Sequence, residues 1–286
     1  MPLLSKEELE GMTPVFRGKV GNALAECLMR MLDVDELNAL YDRLQEHSGP
    51  DFASAVLNDI GIDVSIGYAS GADADLGAIL PEGPFITISN HPCGHVDGVA
   101  LVDLFGHLRP DYKVMVNRIL GRVKNLESNF ISVTPTGNQR TAATAASISG
   151  VKAALQHLRD GGALGLFPSG AVSDLSIRDR CVRDREWQEP VIRLIRKAKV
   201  PILPVRFFDG NSPFYYSLGL IDWKVRLLRL PSEVFNKRGK QFRVGIGPLI
   251  PVEVQDSFDK DIDGFSAFLR SSVYDMPLPE KFINSR

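Results

Sequence analysis

"GPFITISNHPCGHVDGVALVDLFGHL", residues 83–108, decides how this chain folds. Its opening, "FITIS", is apolar and β-branched, the texture of a buried strand. Asn90, His91 and Pro92 follow at once. Pro92 disfavours a helical His91, and Gly94 permits a sharp turn. Asp97 then heads an apolar run, "DGVALVDLFGHL", in the manner of an N-cap carboxylate. Strand, turn and helix in that order are the first half of a parallel crossover unit. The reading places His91 at the carboxyl end of a strand and Asp97 at the start of the next helix. In open α/β sheets that edge is where ligands bind.

Working outward, the same alternation runs through most of the chain. Short β-rich runs occur at 63–68, 85–89, 112–117, 130–134, 163–167, 201–207 and 242–247. Helical stretches occupy 97–108, 118–126, 141–160 and 188–199, and an amphipathic one follows in the tail at 255–274. This predicts an α/β fold, a largely parallel mixed sheet flanked by helices, with an N-terminal helical element. Residues 1–60 read as that element, packed on the core; residues 61–286 read as the main domain. Ser5 to Glu8 form a capping box, and Leu24, Cys27, Leu28, Met31, Leu32, then Leu37, Leu40, Tyr41 and Leu44 fall at helical spacing. Ser48, Gly49 and Pro50 interrupt the pattern.

Composition bounds the function. With 286 residues, 44% hydrophobic and 24% charged, the chain has ordinary globular proportions and enough apolar side chains for a sizeable core. Cys27, Cys93 and Cys181 are odd in number and far apart, which predicts a reducing, cytoplasmic setting rather than a disulfide framework. The opening "MPLLSKEELEGM" lacks an apolar run behind a basic start, so no secretory leader is expected. No segment reaches the roughly 20 apolar residues needed to span a bilayer, so any membrane association is expected to be peripheral. Net charge is −2, but residues 1–100 hold 5 Lys+Arg against 16 Asp+Glu, leaving the rest basic. A basic half suits phosphates or anionic headgroups. The basic stretches lack interleaved aromatic platforms, so no nucleic-acid partner is expected.

The turn at 90–97 admits three readings from its residues alone. Asp97 merely caps, and His91 is a hydrogen-bonded turn residue. Alternatively, His91, Cys93, His95 and Asp97 alternate and all can ligate zinc, giving a metal-dependent hydrolase on His91, His95 and Asp97. Pro92 and Gly94 argue against the extended segment this requires. In the third reading the carboxylate folds back onto the imidazole, fixes its tautomer and leaves the other nitrogen as a base. Cys93 beside His91 is read as a buried thiol before a nucleophile. No G-x-S-x-G elbow exists, since Ser169 stands in "FPSGA".

The order "NHPCGHVDG" (90–98), "GLFPSG" (165–170) and "VPILPV" (200–205) resembles the glycerolipid and lysophospholipid acyltransferases over roughly residues 80–250. The usual form has four residues between His and Asp; here there are five, Pro92 to Val96. The longer loop, with "DREWQEP" (184–190), "DGNSPFYY" (209–216) and "VFNKRGK" (234–240), is similar to the bacterial branch that O-acylates lyso forms of ornithine or glycine lipids. The resemblance implies that His91 takes a proton from an acceptor hydroxyl, with Asp97 orienting it. The hydroxyl would attack an acyl thioester of acyl carrier protein or coenzyme A, without acyl-enzyme, metal or cofactor. It implies that Asn90, Phe167, Pro168, Ser169 and Gly170 line the substrate, with Arg118 a nearby base.

Two positions depart from the family's pattern. Ser169 stands where Glu is usual, and Thr134, Pro135 and Thr136 stand where an Arg phosphate anchor is usual. Both departures favour a lyso amino-acid lipid or another lyso-lipid over a glycerol phosphate as acceptor. The expected location is the inner face of the cell membrane, bound peripherally. Segments 223–230 and 236–240 pair apolar with basic residues, as membrane-surface segments do. Arg178, Arg180, Arg183 and Arg185 are equally a solvated loop or a carrier-protein contact. A non-catalytic lipid or carrier-protein binder is the remaining alternative.

Overall fold

The computed structural model describes residues 33–71, 75–117, 123–133, 145–221 and 223–285. Two helices come first, α1 (Val34–Arg43) and α2 (Gly49–Ile60). Leu40 of α1 and Phe52, Leu57 and Ile60 of α2 join the core beneath the sheet. Ser48 and Pro50 are thus a helix start, with Pro inside the first turn, where its missing N–H costs nothing. The capping box at Ser5–Glu8 and the periodic residues Leu24 to Leu32 lie outside the described residues.

Strands β1 (Asp63–Tyr68), β2 (Ile86–Ser89), β3 (Lys113–Asn117), β4 (Phe130–Val133), β5 (Leu164–Leu166), β8 (Ile202–Phe207) and β9 (Gln241–Ile246) match the seven expected runs within one residue at most ends. With β10 (Ile283–Asn284) they form one eight-stranded sheet, ordered β10-β1-β9-β8-β2-β5-β3-β4. The five strands from β8 to β4 are mutually parallel. β9 pairs antiparallel with β8, and β10 antiparallel with β1, so the sheet is mixed at one side. All four residues of β2 are buried, as befits a strand covered on both faces.

Helices cover both faces. α4 (His95–Gly106) follows β2, α5 (Ala145–Arg159) precedes β5, α6 (Glu189–Ala198) precedes β8, and α11 (Ile262–Tyr274) packs against α6 and β8. A short α3 (Leu76–Ile79) precedes β2, and α10 (Val252–Asp256) precedes α11. The single tail helix expected at 255–274 is therefore two helices. The helix expected at 118–126 is a 3₁₀ segment at Lys124–Asn129 in its described part.

Two groups of elements had no clear periodic signal. A hairpin, β6 (Asp174–Ser176) and β7 (Cys181–Arg183), forms a separate two-stranded sheet. Three short helices, α7 (Pro213–Ile221), α8 (Trp223–Leu228) and α9 (Leu230–Phe235), lie between β8 and β9. The hairpin's strands have three residues each, too few for alternation to register. "PFYYSLGLI" is aromatic and nearly all apolar, so it reads equally as strand or helix.

The register aligns the loops that matter. Ser89 of β2 lies opposite Val205 of β8, and Ile88 opposite Leu166 of β5. The segments after Ser89, Leu166 and Phe207 therefore leave the sheet side by side at one edge.

Candidate active site

Asp97 lies in the first turn of α4, rather than at its cap, and is fully buried. Its Oδ2 accepts hydrogen bonds from the Cys93 amide at 2.8 Å and the Gly94 amide at 2.9 Å. These bonds fold the turn back over the helix start. Gly94 makes the fold possible: its φ is +69°, and a Cβ there would meet Leu230 Cδ2 at 2.9 Å. The same Oδ2 stands 2.9 Å from His91 Nδ1. The contact is off the line of a straight N–H···O bond, and Nδ1 has no other partner among the described residues. Burial pushes the Asp97 carboxyl above its ordinary value, while His91, the Cys93 amide and the Lys237 ammonium pull it back down.

His91 is held from three sides. Its ring lies against Phe167, with centroids 4.0 Å apart and planes 30° apart. Its amide donates to Asp184 Oδ1 at 3.2 Å, and its carbonyl accepts from the Ser173 amide at 2.8 Å. The side chain keeps 16% of its surface, and Nε2 makes no hydrogen bond among the described residues. The arrangement leaves one nitrogen open and places the other against a carboxylate, as a general base requires.

Asp184 was not anticipated. It is 2% exposed and sits just past β7. Oδ1 also accepts from Ser173 Oγ at 2.6 Å, and Oδ2 from Trp187 Nε1 at 3.2 Å. Tyr274 accepts from its amide at 2.7 Å, and Arg270 donates to its carbonyl at 2.7 Å. The alternation of Arg and Asp from 178 to 185 did carry a signal. Arg183 pairs with Asp179 at 3.3 Å and Arg185 with Asp174, both near the surface, while the Asp184 carboxylate between them points inward.

The other expected substrate residues are placed as follows. Asn90 is buried and its amide is bonded at both ends: Nδ2 donates to the Phe207 carbonyl at 2.9 Å, and Oδ1 accepts from the Phe207 amide at 2.8 Å. Its amide group mimics a ladder pair and ties β2 to β8 beyond their last rung. Phe167, Pro168, Ser169 and Gly170 form a tight turn closed by the Gly170 amide donating to the Phe167 carbonyl at 2.9 Å. Ser169 is 3% exposed, and its Oγ donates to the Ala171 carbonyl at 2.8 Å. The Gly170 amide is thus spent inside the turn. Gly170 has φ +64°, and a Cβ there would fall 2.2 Å from Gln188 Nε2. Arg118, with Arg122, Arg140 and Thr134 to Thr136, lies outside the described residues.

Cys93 is buried, and burial pushes its thiol well above the ordinary value, so it stays protonated. His95, half-buried at the start of α4, is held down to about 4 by burial and by the nearby His91. Among the described residues no group of three His, Cys, Asp or Glu is placed to hold a metal ion, so His91, His95 and Asp97 do not form the ligand set of the hydrolase reading. Among the same residues no helix is long and apolar enough to cross a membrane.

Fold and site together define a class: an α/β protein with a partly exposed imidazole set against a buried carboxylate at the carboxyl edge of its parallel strands. The family is fixed by its sequence. The chain belongs to the Acyltransferase family, whose profile matches residues 10–274. It is 27% identical over 254 residues to the lyso-glycine lipid O-acyltransferase of Bacteroides thetaiotaomicron, covering 86% of this chain and 87% of that protein. It is 27% identical over 255 residues to the protein of the same name from Phocaeicola vulgatus, covering 86% and 85%. The crystal structure of the 1-acyl-sn-glycerophosphate (LPA) acyltransferase PlsC from Thermotoga maritima is similar at a TM-score of 0.45 and 13% identity, covering 78% of this chain and 80% of that one.

Proposed function

We propose that this acyltransferase moves a fatty acyl group from an acyl thioester to the hydroxyl of a lyso-lipid, with His91 as general base. The observation that carries the reading is the 2.9 Å approach of buried Asp97 to His91 Nδ1, with Nε2 unbonded among the described residues. His91 Nε2 takes the hydroxyl proton as the oxygen attacks the thioester carbonyl. The tetrahedral intermediate then collapses, the C–S bond breaks, and the imidazolium returns its proton to the leaving sulfur. Asp97 stabilises the imidazolium formed between these steps. Phe167 limits ring rotation, so Nε2 faces the acceptor. As written, the reaction calls for no metal or organic cofactor.

The acceptor we favour is an amino-acid-headed lyso-lipid. Two relatives carry lyso-glycine lipid in their names, and Ser169, turned inward, offers no carboxylate in place of the usual Glu. The donor is acyl carrier protein or coenzyme A thioester, and the protein works peripherally on the inner face of the cell membrane. The test mixes purified protein, acyl-coenzyme A or acyl carrier protein, and lyso-glycine lipid. Free thiol and the mass of the diacyl product are followed. His91→Ala should remove both signals with an unchanged circular dichroism spectrum. Full activity in that variant refutes the mechanism, and lipid binding without thiol release identifies a binder instead.

A further inference from the structure

α7 has two faces of different character. On one, Tyr215 and Tyr216 are buried, and the Tyr216 hydroxyl donates to the Pro92 carbonyl of the catalytic turn at 2.8 Å. On the other, Phe214 is 57% exposed and Ile221 81%. α8 packs against α7 and adds exposed Leu227 and Leu228. β6 also packs against α7, and Ile177, the residue just past β6, is 71% exposed. These exposed side chains stand on elements that pack against one another. A cluster of large apolar groups left in water marks an interaction site rather than ordinary surface.

Bases border the cluster. Arg178 and Arg180 are exposed in the turn between β6 and β7. The Arg229 guanidinium lies over the Phe214 ring, 5.7 Å from its centroid. Asp179, between the two turn arginines, faces Arg183 at 3.3 Å, so the turn is left positive.

We propose that this face, Ile177, Phe214, Ile221 and Leu228 with Arg178 and Arg180, is where the protein docks on a bilayer containing anionic lipid. Apolar side chains enter the boundary between headgroups and acyl chains, and the arginines meet lipid phosphates. A soluble acidic partner would satisfy the bases but gives no reason for Ile177 and Ile221 to stand out in water. The site's geometry adds a second argument. β6 runs on from Ser173, whose amide bonds the His91 carbonyl, and α7 bonds the Pro92 carbonyl. Docking through these elements brings the catalytic turn beside the membrane, where a lyso-lipid is held. The choice of acceptor rests on the lyso-lipid reading above; the docking itself does not.

Flotation of the full chain with vesicles tests this without donor or turnover, so the result is independent of acyl transfer. One set is phosphatidylcholine alone; the other mixes three parts phosphatidylcholine with one part phosphatidylglycerol. The wild-type protein should float with the mixed vesicles, less so as salt rises. Ile177→Ser/Phe214→Ser/Ile221→Ser should weaken that binding by about tenfold or more. Arg178→Glu/Arg180→Glu should weaken it by about tenfold on mixed vesicles and leave phosphatidylcholine binding unchanged. Leu108→Ser/Leu278→Ser, exposed elsewhere, should float like the wild type, and circular dichroism checks each fold. A triple variant that floats undiminished overturns the proposal, as does a wild type that never floats. So does an arginine variant that loses capture of acidic acyl carrier protein yet keeps full flotation, because the face would then serve a protein partner.

Discussion

Replacing Asp97 by Asn separates the two things its carboxylate does. Oδ2 accepts from the Cys93 and Gly94 amides and also faces His91 Nδ1. An Asn oxygen in the same place keeps both backbone bonds, so the turn holds its shape. What disappears is the negative charge 2.9 Å from the imidazole. At an effective dielectric of about 20, that charge attracts an imidazolium by about 6 kcal/mol. The imidazolium is only partly formed in the transition state and the ring is partly hydrated, so about 3–5 kcal/mol is the expected loss. That corresponds to a fall in kcat of about 10²–10⁴, with KM little changed because the lost interaction belongs to the transition state. Stability should move the other way. Burial raises the Asp97 carboxyl's pKa, so its charge is a net cost to the folded state at neutral pH, and Asn relieves it. Asp97→Ala also strips the two amides of their acceptor and should lose about 1–3 kcal/mol of stability. The assay is steady-state thiol release alongside thermal melting of wild type and both variants. An Asp97→Asn protein with wild-type kcat and an unchanged melt refutes the role given to the pair.

Asp184→Ala should leave the His91 amide and Ser173 hydroxyl without their acceptor and cost about 1–3 kcal/mol of stability. It should also lower kcat by tenfold or more through a displaced His91 main chain. Asp184→Asn keeps an acceptor for His91 and should recover part of kcat; equal activity in all three proteins would show that the strap does not position the base. His95 gives a pH signature. Its folded value is about 4 against an ordinary 6.5, so between those values the unfolded chain binds a proton that the folded chain does not. Stability is then fully present above about 6.5 and declines as pH falls toward 4, by about 1–3 kcal/mol given that the residue is only half-buried. Asp97, with its raised value, acts in the opposite sense, so the comparison to make is wild type with His95→Asn. Measured from pH 7.5 down to 4.5, the wild-type denaturant midpoint should fall relative to that of His95→Asn; parallel curves would disprove the assignment.

Much of the site was legible in eleven residues. Pro92, Gly94 and Asp97 act on neighbours within a few positions, so "ISNHPCGHVDG" alone placed His91 at a strand end and Asp97 at the start of the next helix, though as its cap rather than in the first turn where it lies. The same locality made β1 to β5, β8 and β9 readable, since each carries its own apolar run. Motif order, too, needed no coordinates to indicate an acyltransferase. What the sequence did not show is instructive. The motif resemblance assigned Asn90 to the substrate, but no local pattern records that its amide bonds both the carbonyl and the amide of Phe207, 117 positions away.

Sequence by itself determined which short segments become strands and helices, and that an imidazole and a carboxylate lie across one turn, because those outcomes depend on rotamer, cap and turn preferences of adjacent residues. Only the tertiary structure decided the order of the strands, the clamp of Asp184 on His91 across 93 positions and the bond from Tyr216 to Pro92 across 124. Those contacts form when the sheet closes and buries both faces of β2. Their partners are chosen by the packing of the whole core, and no local pattern records that choice.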